Sequence, residues 1–302
     1  MTADQDPSLG PSLSPSLSMA LDERDRLLRT AFRLMGTTAE AEDAVQEAYA
    51  RWYRLSDDEQ TQIRHPGAWL TTVVSRICLD QLGSARARRE QYVGPWLPEP
   101  RPDAGAVVDP ADRATLDDEV TSAVMVVLES LTPAERVAFV LHDVFGLPFD
   151  EIATVVGRTP QACRKLASAA RSDIRERRVR QANPSDHDRV VRGFLAACAT
   201  GDIAQLVPLL DPNVTLRSDG GGIVRAARNP VHGADRVARF LLGLVAKDPS
   251  LGAEPTVIEG RTGVVIRRGE HVAAVVTFGI SAAIDDVWIV VNPHKLTAWR
   301  NL

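Results

Sequence analysis

The sequence predicts a multidomain protein in which two all-α domains precede an α+β domain. Its 302 residues are long for one compact unit, so two or three units are expected. Helical periodicity runs from about residue 19 to residue 180, and Val- and Ile-rich runs bounded by glycine, which are typical of strands, follow residue 186. Residues 92–110 contain five prolines and divide the helical part in two.

These signals place four boundaries along the chain. Pro-Ser-Leu repeats over residues 7–18 cannot bury a core, so residues 1–18 are predicted to be a disordered tail. We expect a first helical domain over 19–91, a linker over 92–112 and a second helical domain over 113–183. The α+β domain takes 184–302.

Charge is segregated along the chain, although the net charge is only -5. Residues 1–60 hold twelve Asp and Glu against six Lys and Arg, whereas residues 158–180 hold eight Lys and Arg against two Asp and Glu. A basic block on a helix is typical of a phosphate-binding surface, and an acidic block suits a basic protein partner. The pattern indicates contacts with both nucleic acid and protein.

Cysteine usage and hydropathy exclude several classes of protein. Cys78, Cys163 and Cys198 are far apart, make no metal-binding spacing and fit a reducing cytoplasm. The N-terminus carries Asp4 and Asp6 without a basic segment, which argues against a secretion signal. No run approaches the roughly 20 apolar residues of a membrane span. We expect a cytoplasmic protein with no metal, no cofactor and no membrane partner.

Residues 132–178 carry the pattern of a helix-turn-helix. Thr132 and Glu135 fit a capping box, Gly157 fits a helix end, and Thr159-Pro160 begins a further helix. One stripe of that helix is apolar, and a basic and polar set lies on another: Thr159, Gln161, Arg164, Lys165, Ser168, Arg171 and Arg175. Such a helix fits the major groove. A basic solvated face on an ordinary helical hairpin would give the same pattern.

Residues 37–54 predict an amphipathic helix with a charged outer face. Thr37 and Glu40 fit a capping box, and an inward stripe is formed by Ala41, Val45, Ala48 and Trp52. The outer face carries charged and polar residues that include Asp43, Gln46, Glu47 and Arg51. From the residues alone, solvation explains these charges.

The run D-A-V-Q-E (43–47) followed by A-R-W-Y-R (50–54) resembles the polymerase-binding helix of extracytoplasmic-function RNA polymerase sigma factors. HPGAWLTTVVSRICLDQLGSARARRE (65–90) resembles the promoter-melting part of region 2 in that family, and the helix-turn-helix follows where its region 4 stands. The resemblance implies an alternative sigma factor. Such a protein binds core RNA polymerase, recognises the minus-ten and minus-thirty-five promoter elements and initiates transcription.

The resemblance also implies roles for individual residues. Contacts to the clamp of the largest polymerase subunit fall to Asp43, Gln46, Glu47 and Arg51. Contacts to minus-ten DNA fall to Trp69, Thr72, Arg76, Asp80, Arg86, Arg88 and Arg89. The basic and polar set of the helix-turn-helix takes minus-thirty-five DNA, and region 4 also meets the polymerase beta-flap. Family members often carry Asn between Arg76 and Asp80, where this chain has Ile77-Cys78-Leu79, and Trp69 fits a core position equally well.

The order of elements after residue 186 resembles the SnoaL-like fold, a cone-shaped α+β domain found in one subgroup of these sigma factors. Three motifs fit the subgroup: WLPEP (96–100), DGGG (219–222) and NPHKL (292–296). The subgroup more often has Lys where Ile223 stands and Asp where His294 stands. The resemblance implies a domain that modulates the activity of the sigma factor.

WLPEP has the wrong chemistry for a simple tether, because Trp96 and Leu97 are costly to expose and prolines stiffen the chain around them. Glycines after Asp219 permit close backbone approach. We therefore predict an interdomain regulatory contact made by Trp96, Leu97, Pro98, Asp219, Gly220, Gly221, Gly222, Asn292 and Pro293. The alternative is that Trp96 packs on a helix of its own domain.

An enzymatic role for the C-terminal domain is the competing hypothesis. Enzymes on the SnoaL-like fold use a carboxylate or histidine as general base, for which Asp219, His232 and Asp235 are candidates here. No second acid or electrophile is identifiable, and turns explain Asp219 and His232. We expect no catalytic residue and a regulatory domain. Whether that domain also takes a small-molecule ligand stays open.

Overall fold

The computed structural model describes residues 15–89, 94–102, 122–178 and 182–300. Its side chains are described over residues 23–84, 94–102, 125–175 and 182–300. In these parts of the chain, no helix is both long enough and apolar enough to cross a membrane.

Four helices form the first unit: α1 (Pro15–Met35), α2 (Thr38–Tyr53), α3 (Asp57–Gln62) and α4 (Pro66–Arg89). Helix α1 begins four residues before the end of the predicted tail, since proline is well suited to the first turn of a helix. The rest of that predicted tail, residues 1–14, lies outside the described residues. Thr37 caps α2 by accepting a hydrogen bond from the Glu40 amide, which is one half of the predicted capping box. The Glu40 carboxylate accepts from the Thr37 hydroxyl and not from its backbone amide, so the reciprocal half does not form.

The second unit consists of α5 (Ser122–Ser130), α6 (Pro133–Phe139), a π-helical turn (Val140–Val144), α7 (Phe149–Val156) and α8 (Pro160–Arg178). Thr132 and Glu135 form the predicted capping box at the start of α6. Gly157 ends α7 in the left-handed region at φ +69°, where a glycine has no side chain to strain. The helical periodicity of the sequence does not reveal the π-helical turn.

The two helical units pack directly on each other and share one apolar core. Leu34 of α1 and Ile77 of α4 are buried in the same cluster as Val137 and Leu141 of the second unit. Arg136 is buried in the second unit and forms an ion pair with Glu129 of α5. Regions expected to act on separate promoter elements are therefore held together in this structure.

The C-terminal unit is a mixed six-stranded sheet with strand order β2-β1-β6-β5-β4-β3. Its strands are β1 (Leu210–Asp219), β2 (Val231–His232), β3 (Leu251–Ile258), β4 (Arg261–Arg268), β5 (His271–Ile280) and β6 (Ile284–Val290). Only β1 and β6 pair in parallel among these neighbours. The helices of the unit are α9 (Pro184–Thr200), α10 (Ile203–Leu206) and α11 (Ala234–Lys247).

Successive side chains of each strand point to opposite faces of the sheet, and both faces are covered by other parts of the chain. Val214, Val276 and Val287 share a core with residues of α9 and α11. On the other face, Trp288 and Val290 share a second core with Leu97. The segment 94–102 therefore lies on the sheet face that α9 and α11 leave uncovered.

Candidate functional site

The outer face of α2 presents the residues assigned to polymerase. Asp43, Gln46 and Arg51 are exposed, and Glu47 is half-buried. Arg51 donates a hydrogen bond to Glu47 at 2.9 Å, and this bond holds the pKa of the Glu47 carboxyl below its usual range. The face is thus accessible and its Glu47 carboxyl is held in the charged form, which suits a basic protein partner. Tyr53 adds an aromatic ring that is 75% exposed, which the charge pattern alone does not identify.

Helix α4 places the residues assigned to minus-ten DNA in different surroundings. Trp69 is half-buried and packs edge-on against Trp52, with 5.3 Å between ring centroids. Thr72 is half-buried, its hydroxyl donates to the Ala68 carbonyl, and Asp80 is exposed. Trp69 therefore also serves the core, as the alternative interpretation holds.

Arg76 lies at the contact between the two helical units. It is exposed, yet its Nη2 donates a hydrogen bond to the Thr154 carbonyl oxygen of α7 at 2.8 Å. In this structure the arginine assigned to minus-ten DNA is thus bonded to the helix-turn-helix. The side chains of Arg86, Arg88 and Arg89 lie outside the described side chains.

Helix α8 is amphipathic, as the sequence predicts, but its buried stripe differs from the expected Ala162, Leu166, Ala170 and Ile174, since Ala162 and Leu166 are only half-buried. Cys163, Ala167, Ala170 and Ile174 are buried. The whole set assigned to minus-thirty-five DNA is exposed: Thr159, Gln161, Arg164, Lys165, Ser168, Arg171 and Arg175. The basic stripe is therefore accessible to DNA.

A buried cluster, which we call the linker cluster, joins Trp96 and Leu97 to Asp219 and Lys295. Lys295 and Asp219 form an ion pair at 2.8 Å, with the Asp219 side chain 0% exposed. The Leu97 amide donates to Asp219 Oδ2 at 2.9 Å, and Lys295 Nζ donates to the Leu97 carbonyl. Lys295 Nζ also lies 3.8 Å from the centroid of the Trp96 ring.

Hydrogen bonds within the linker cluster stabilise the two buried charges of Lys295 and Asp219. Burying two ions is costly unless further hydrogen bonds meet their remaining donors and acceptors. Here the Leu97 carbonyl supplies one acceptor, the Leu97 amide supplies one donor, and the Gly221 amide donates to Asp219 Oδ1 at 3.0 Å. The ion pair and the linker backbone therefore stabilise each other.

The remaining residues predicted for the interdomain contact lie around this cluster. A Cβ on Gly221 would come within 2.6 Å of the Asn292 side chain, so the glycine is needed for close approach. Asn292 Oδ1 accepts from the His294 amide at 3.0 Å and closes the turn that carries Lys295. Pro98 and Gly220 are buried, Pro293 is half-buried and Gly222 is exposed.

Trp96 makes both contacts that the sequence left as alternatives. One is with Lys295 of the C-terminal unit, and the other is with Gly36 at the end of α1, where an added Cβ would lie 2.7 Å from Trp96 Cη2. Gly36 has φ +84°, so a side chain there would be strained as well as crowded. Trp96 thus packs between the first helical unit and the C-terminal unit.

Three residues that make the linker contacts were missed by sequence reasoning. Lys295 stands inside NPHKL, yet the motif alone does not show that its charge is buried. Trp299 is buried and donates its indole N–H to the Pro100 carbonyl at 2.8 Å. Glu99 is buried, accepts a hydrogen bond from the Thr38 amide at 2.8 Å, and donates its own amide to the Gly36 carbonyl at 2.9 Å.

Glu99 therefore sits at the N-terminus of α2, the helix assigned to polymerase. Thr38 is the first residue of α2, and a carboxylate there meets both a free amide and the positive end of the helix dipole. Burial nevertheless raises the pKa of the Glu99 carboxyl, although the Thr38 hydrogen bond, Arg101 and Lys295 oppose that effect.

The residues weighed as catalytic bases have other partners. Asp219 is bound by Lys295, and the exposed Asp235 is paired with Arg239 at 2.8 Å. His232 Nδ1 lies 3.2 Å from the Thr215 hydroxyl. Among the described residues, no group of three or more His, Cys, Asp or Glu is placed to hold a metal ion.

Comparison with known proteins points to one family. The Sigma-70 region 2 family matches residues 19–88, and the Sigma-70 region 4 family matches residues 121–174. The chain is 41% identical to the ECF RNA polymerase sigma factor SigJ of Mycobacterium tuberculosis over 290 residues, 91% of each chain. It is 40% identical to the probable ECF RNA polymerase sigma factor SigI of the same species, over 92% of this chain and 93% of that one.

A solved structure extends this likeness to the whole architecture. The crystal structure of Mycobacterium tuberculosis SigJ superposes with a TM-score of 0.71 at 37% identity, covering 93% of this chain and 98% of that chain. The likeness therefore includes the C-terminal α+β unit as well as the helical units.

The pKa of Glu99 gives a pH-dependent prediction. Burial raises this pKa in the folded protein, so the folded state binds the Glu99 proton more tightly than the unfolded state. The resulting stabilisation is fully present when the pH is below 4.5, the usual pKa of the carboxyl, and it is lost as the pH rises through the pKa of the folded protein. We expect Glu99→Gln, which keeps an acceptor for Thr38 but cannot ionise, to be more stable than the wild type at about pH 8. Urea unfolding across the pH range measures this difference, which should shrink toward acid pH.

The control is Glu42→Gln, which makes the same change at an exposed carboxylate of α2. It should leave the pH profile of stability unaltered. A wild type that gains stability over Glu99→Gln as the pH rises would show that the Thr38 hydrogen bond outweighs burial.

Proposed function

This chain belongs to the extracytoplasmic-function RNA polymerase sigma factors, and we propose that its C-terminal domain controls it by binding the linker between regions 2 and 4. The single observation that supports the proposal is the linker cluster, in which Asp219 binds the backbone amide of Leu97 and Lys295 binds its carbonyl. Region 2 here means residues 19–88 and region 4 means residues 121–174.

As a sigma factor, the chain binds core RNA polymerase and promoter DNA and directs the initiation of transcription. Region 2 serves the minus-ten element and region 4 serves the minus-thirty-five element. The site of action is the cytoplasm, where RNA polymerase works. The C-terminal domain acts as a regulator rather than an enzyme, because Lys295 neutralises the one buried carboxylate among the three weighed as bases.

The outer face of α2 binds the polymerase clamp through Asp43, Gln46, Glu47 and Arg51. Accessibility and charge support this assignment, since the face is exposed and its carboxylates suit a basic coiled coil. The shared core of regions 2 and 4 leaves this face free. Polymerase therefore has access to α2 in the compact form of the protein.

Promoter binding needs a change at the contact between the two regions. Arg76 reaches minus-ten DNA, together with Trp69, Thr72, Asp80 and the arginines at 86, 88 and 89, only after it leaves the Thr154 carbonyl. The exposed set on α8 reads minus-thirty-five DNA, and region 4 contacts the beta-flap. The linker joins these two regions, so a domain that binds the linker limits how far they separate.

The linker contacts explain how such control reaches region 2. On one side, Glu99 binds the first turn of α2 and Trp96 packs on Gly36. On the other side, Leu97 and Pro100 are bound by Lys295, Asp219 and Trp299. Release of the linker from the C-terminal domain therefore disturbs its contacts with α2.

The polymerase face can be tested by charge reversal. Asp43→Arg combined with Glu47→Arg places positive charge against a basic partner, so the folded double mutant should lose polymerase binding in a pull-down. The same two-charge reversal at the exposed Asp235 and Glu270 of the C-terminal unit serves as the control and should leave binding intact. Unchanged affinity in the α2 double mutant, with helicity retained by circular dichroism, would refute the assignment.

The regulatory contact can be tested by a double-mutant cycle on promoter output. Trp96→Ala and Asp219→Ala each disrupt the linker cluster, so together they should change transcription by less than the sum of their separate effects. Deletion of residues 186–302 should change output strongly while DNA recognition persists. Trp96→Ala with Asp235→Ala, an exposed site with its own partner, is the control cycle and should be additive.

Strict additivity of Trp96→Ala and Asp219→Ala would mean that the two residues act independently. The proposal that the C-terminal domain works through the linker would then be wrong, whatever the effect of deleting that domain.

A further inference from the structure

Region 4 contains a short element that helical periodicity does not predict, the π-helical turn over Val140–Val144. The Phe145 amide bonds to the Val140 carbonyl five residues back, at 3.2 Å. Such turns alter the direction of the side chains that follow, and they occur frequently at functional sites. This turn carries His142 and Asp143, both of which interact with residues beyond it.

Asp143 orients Arg171 of α8. The two side chains form a bidentate pair, with Arg171 Nε 2.6 Å from Oδ1 and Nη2 3.1 Å from Oδ2. The hydrogen bond to Asp143 raises the pKa of the Arg171 guanidinium above its usual value. Arg171 is thus anchored to the π-helical turn, about two turns along α8 from Arg164.

His142 supports a stack that ends at Arg164. Its Nδ1 lies 2.9 Å from the Leu147 carbonyl, and its ring lies 3.9 Å from the ring of Phe149, centroid to centroid. The Arg164 guanidinium lies over the ring of Phe149, with its Cζ 5.4 Å from the ring centroid. Imidazole, phenyl ring and guanidinium therefore follow one another from the π-helical turn to the recognition helix.

We propose that Phe149 is a positioning residue for promoter recognition, whose ring, supported by His142, presents the Arg164 guanidinium to the minus-thirty-five bases. The inference rests on the proposed function in one respect, that Arg164 reads a base edge from the first turns of α8. Phe149 is half-buried, packs against the core of the helical units and needs no contact with DNA.

The physical reason is preorganisation. A free arginine side chain loses considerable rotamer freedom when it binds, and a guanidinium already held on an aromatic face loses less of it on contact with a base. The flat guanidinium also stacks on a ring while its N–H groups stay free for a bidentate contact with guanine. Phe149 therefore improves discrimination at one base pair and leaves general affinity for DNA unchanged.

The test uses holoenzyme reconstituted with core polymerase and a library of minus-thirty-five variants. Arg164→Ala identifies the base pair that Arg164 reads. Phe149→Leu should reduce discrimination at that same base pair by about two- to five-fold, the range of an exposed cation–π contact. Phe149→Tyr keeps the aromatic face and should retain wild-type discrimination. The double variant Phe149→Leu with Arg164→Ala should be no worse than Arg164→Ala alone.

Arg175→Ala is the matched control, because this exposed arginine lies three turns along α8 from Arg164 and is expected to hold a phosphate. It should weaken binding to all sequences alike and lower the salt slope by about one unit. If Phe149→Leu behaves in this uniform way, or adds fully to Arg164→Ala, then Phe149 is only structural and the inference is wrong.

Two further outcomes distinguish a failure of the proposed function from a failure of the positioning inference. If Arg164→Ala leaves base preference unchanged, the proposed assignment of α8 fails, and the positioning inference fails with it. If Phe149→Leu does not fold, pentafluorophenylalanine at position 149 takes its place. It nearly keeps the shape of the ring but reverses the sign of the electrostatic potential at the ring face. Wild-type discrimination with that ring would overturn the role of the Phe149–Arg164 contact.

Discussion

The buried ion pair between Lys295 and Asp219 is the interaction on which the arrangement of this sigma factor depends. Two charges in the interior are stable only when further hydrogen bonds satisfy them, and the Leu97 amide and carbonyl supply one such bond to each charge. Losing one partner of such a pair costs about 3–5 kcal/mol. The C-terminal domain thus supplies the ion pair, and the linker supplies hydrogen-bonding groups that the pair needs.

The effect of that pair extends to both helical regions through a short, proline-stiffened segment. Glu99 lies two residues beyond Leu97 and binds the N-terminus of α2, while Trp96 packs on Gly36. Regions 2 and 4 share a core, and Arg76 is bonded across their contact. The helical units therefore form a compact arrangement in which α2 is accessible and Arg76 of α4 is bonded to α7. We propose that the linker is where the C-terminal domain acts on both regions.

Local chemistry explains what the sequence predicts well. The predicted local features all depend on neighbours a few residues apart: the N-cap at Thr37, the capping box at Thr132, the helix end at Gly157 and the β-branched strands. The contacts that were missed join distant residues: Lys295 and Leu97 are 198 positions apart, and Glu99 and Thr38 are 61 apart. The π-helical turn was not predicted because His142 and Asp143 fit an ordinary α-helix equally well. WLPEP could be singled out since an apolar pair in a stiff linker has to be buried somewhere.

Hydrogen exchange at the Leu97 amide tests the central claim most directly, because that amide donates to Asp219 in the linker cluster. In Lys295→Met, which removes the cation that pairs with the buried Asp219, the account predicts that the Leu97 and Glu99 amides exchange together, more than about tenfold faster than in the wild type. Amides of the β5–β6 pairing should keep their protection. Undiminished protection of Leu97 in a folded Lys295→Met protein would contradict the claim that the ion pair holds the linker.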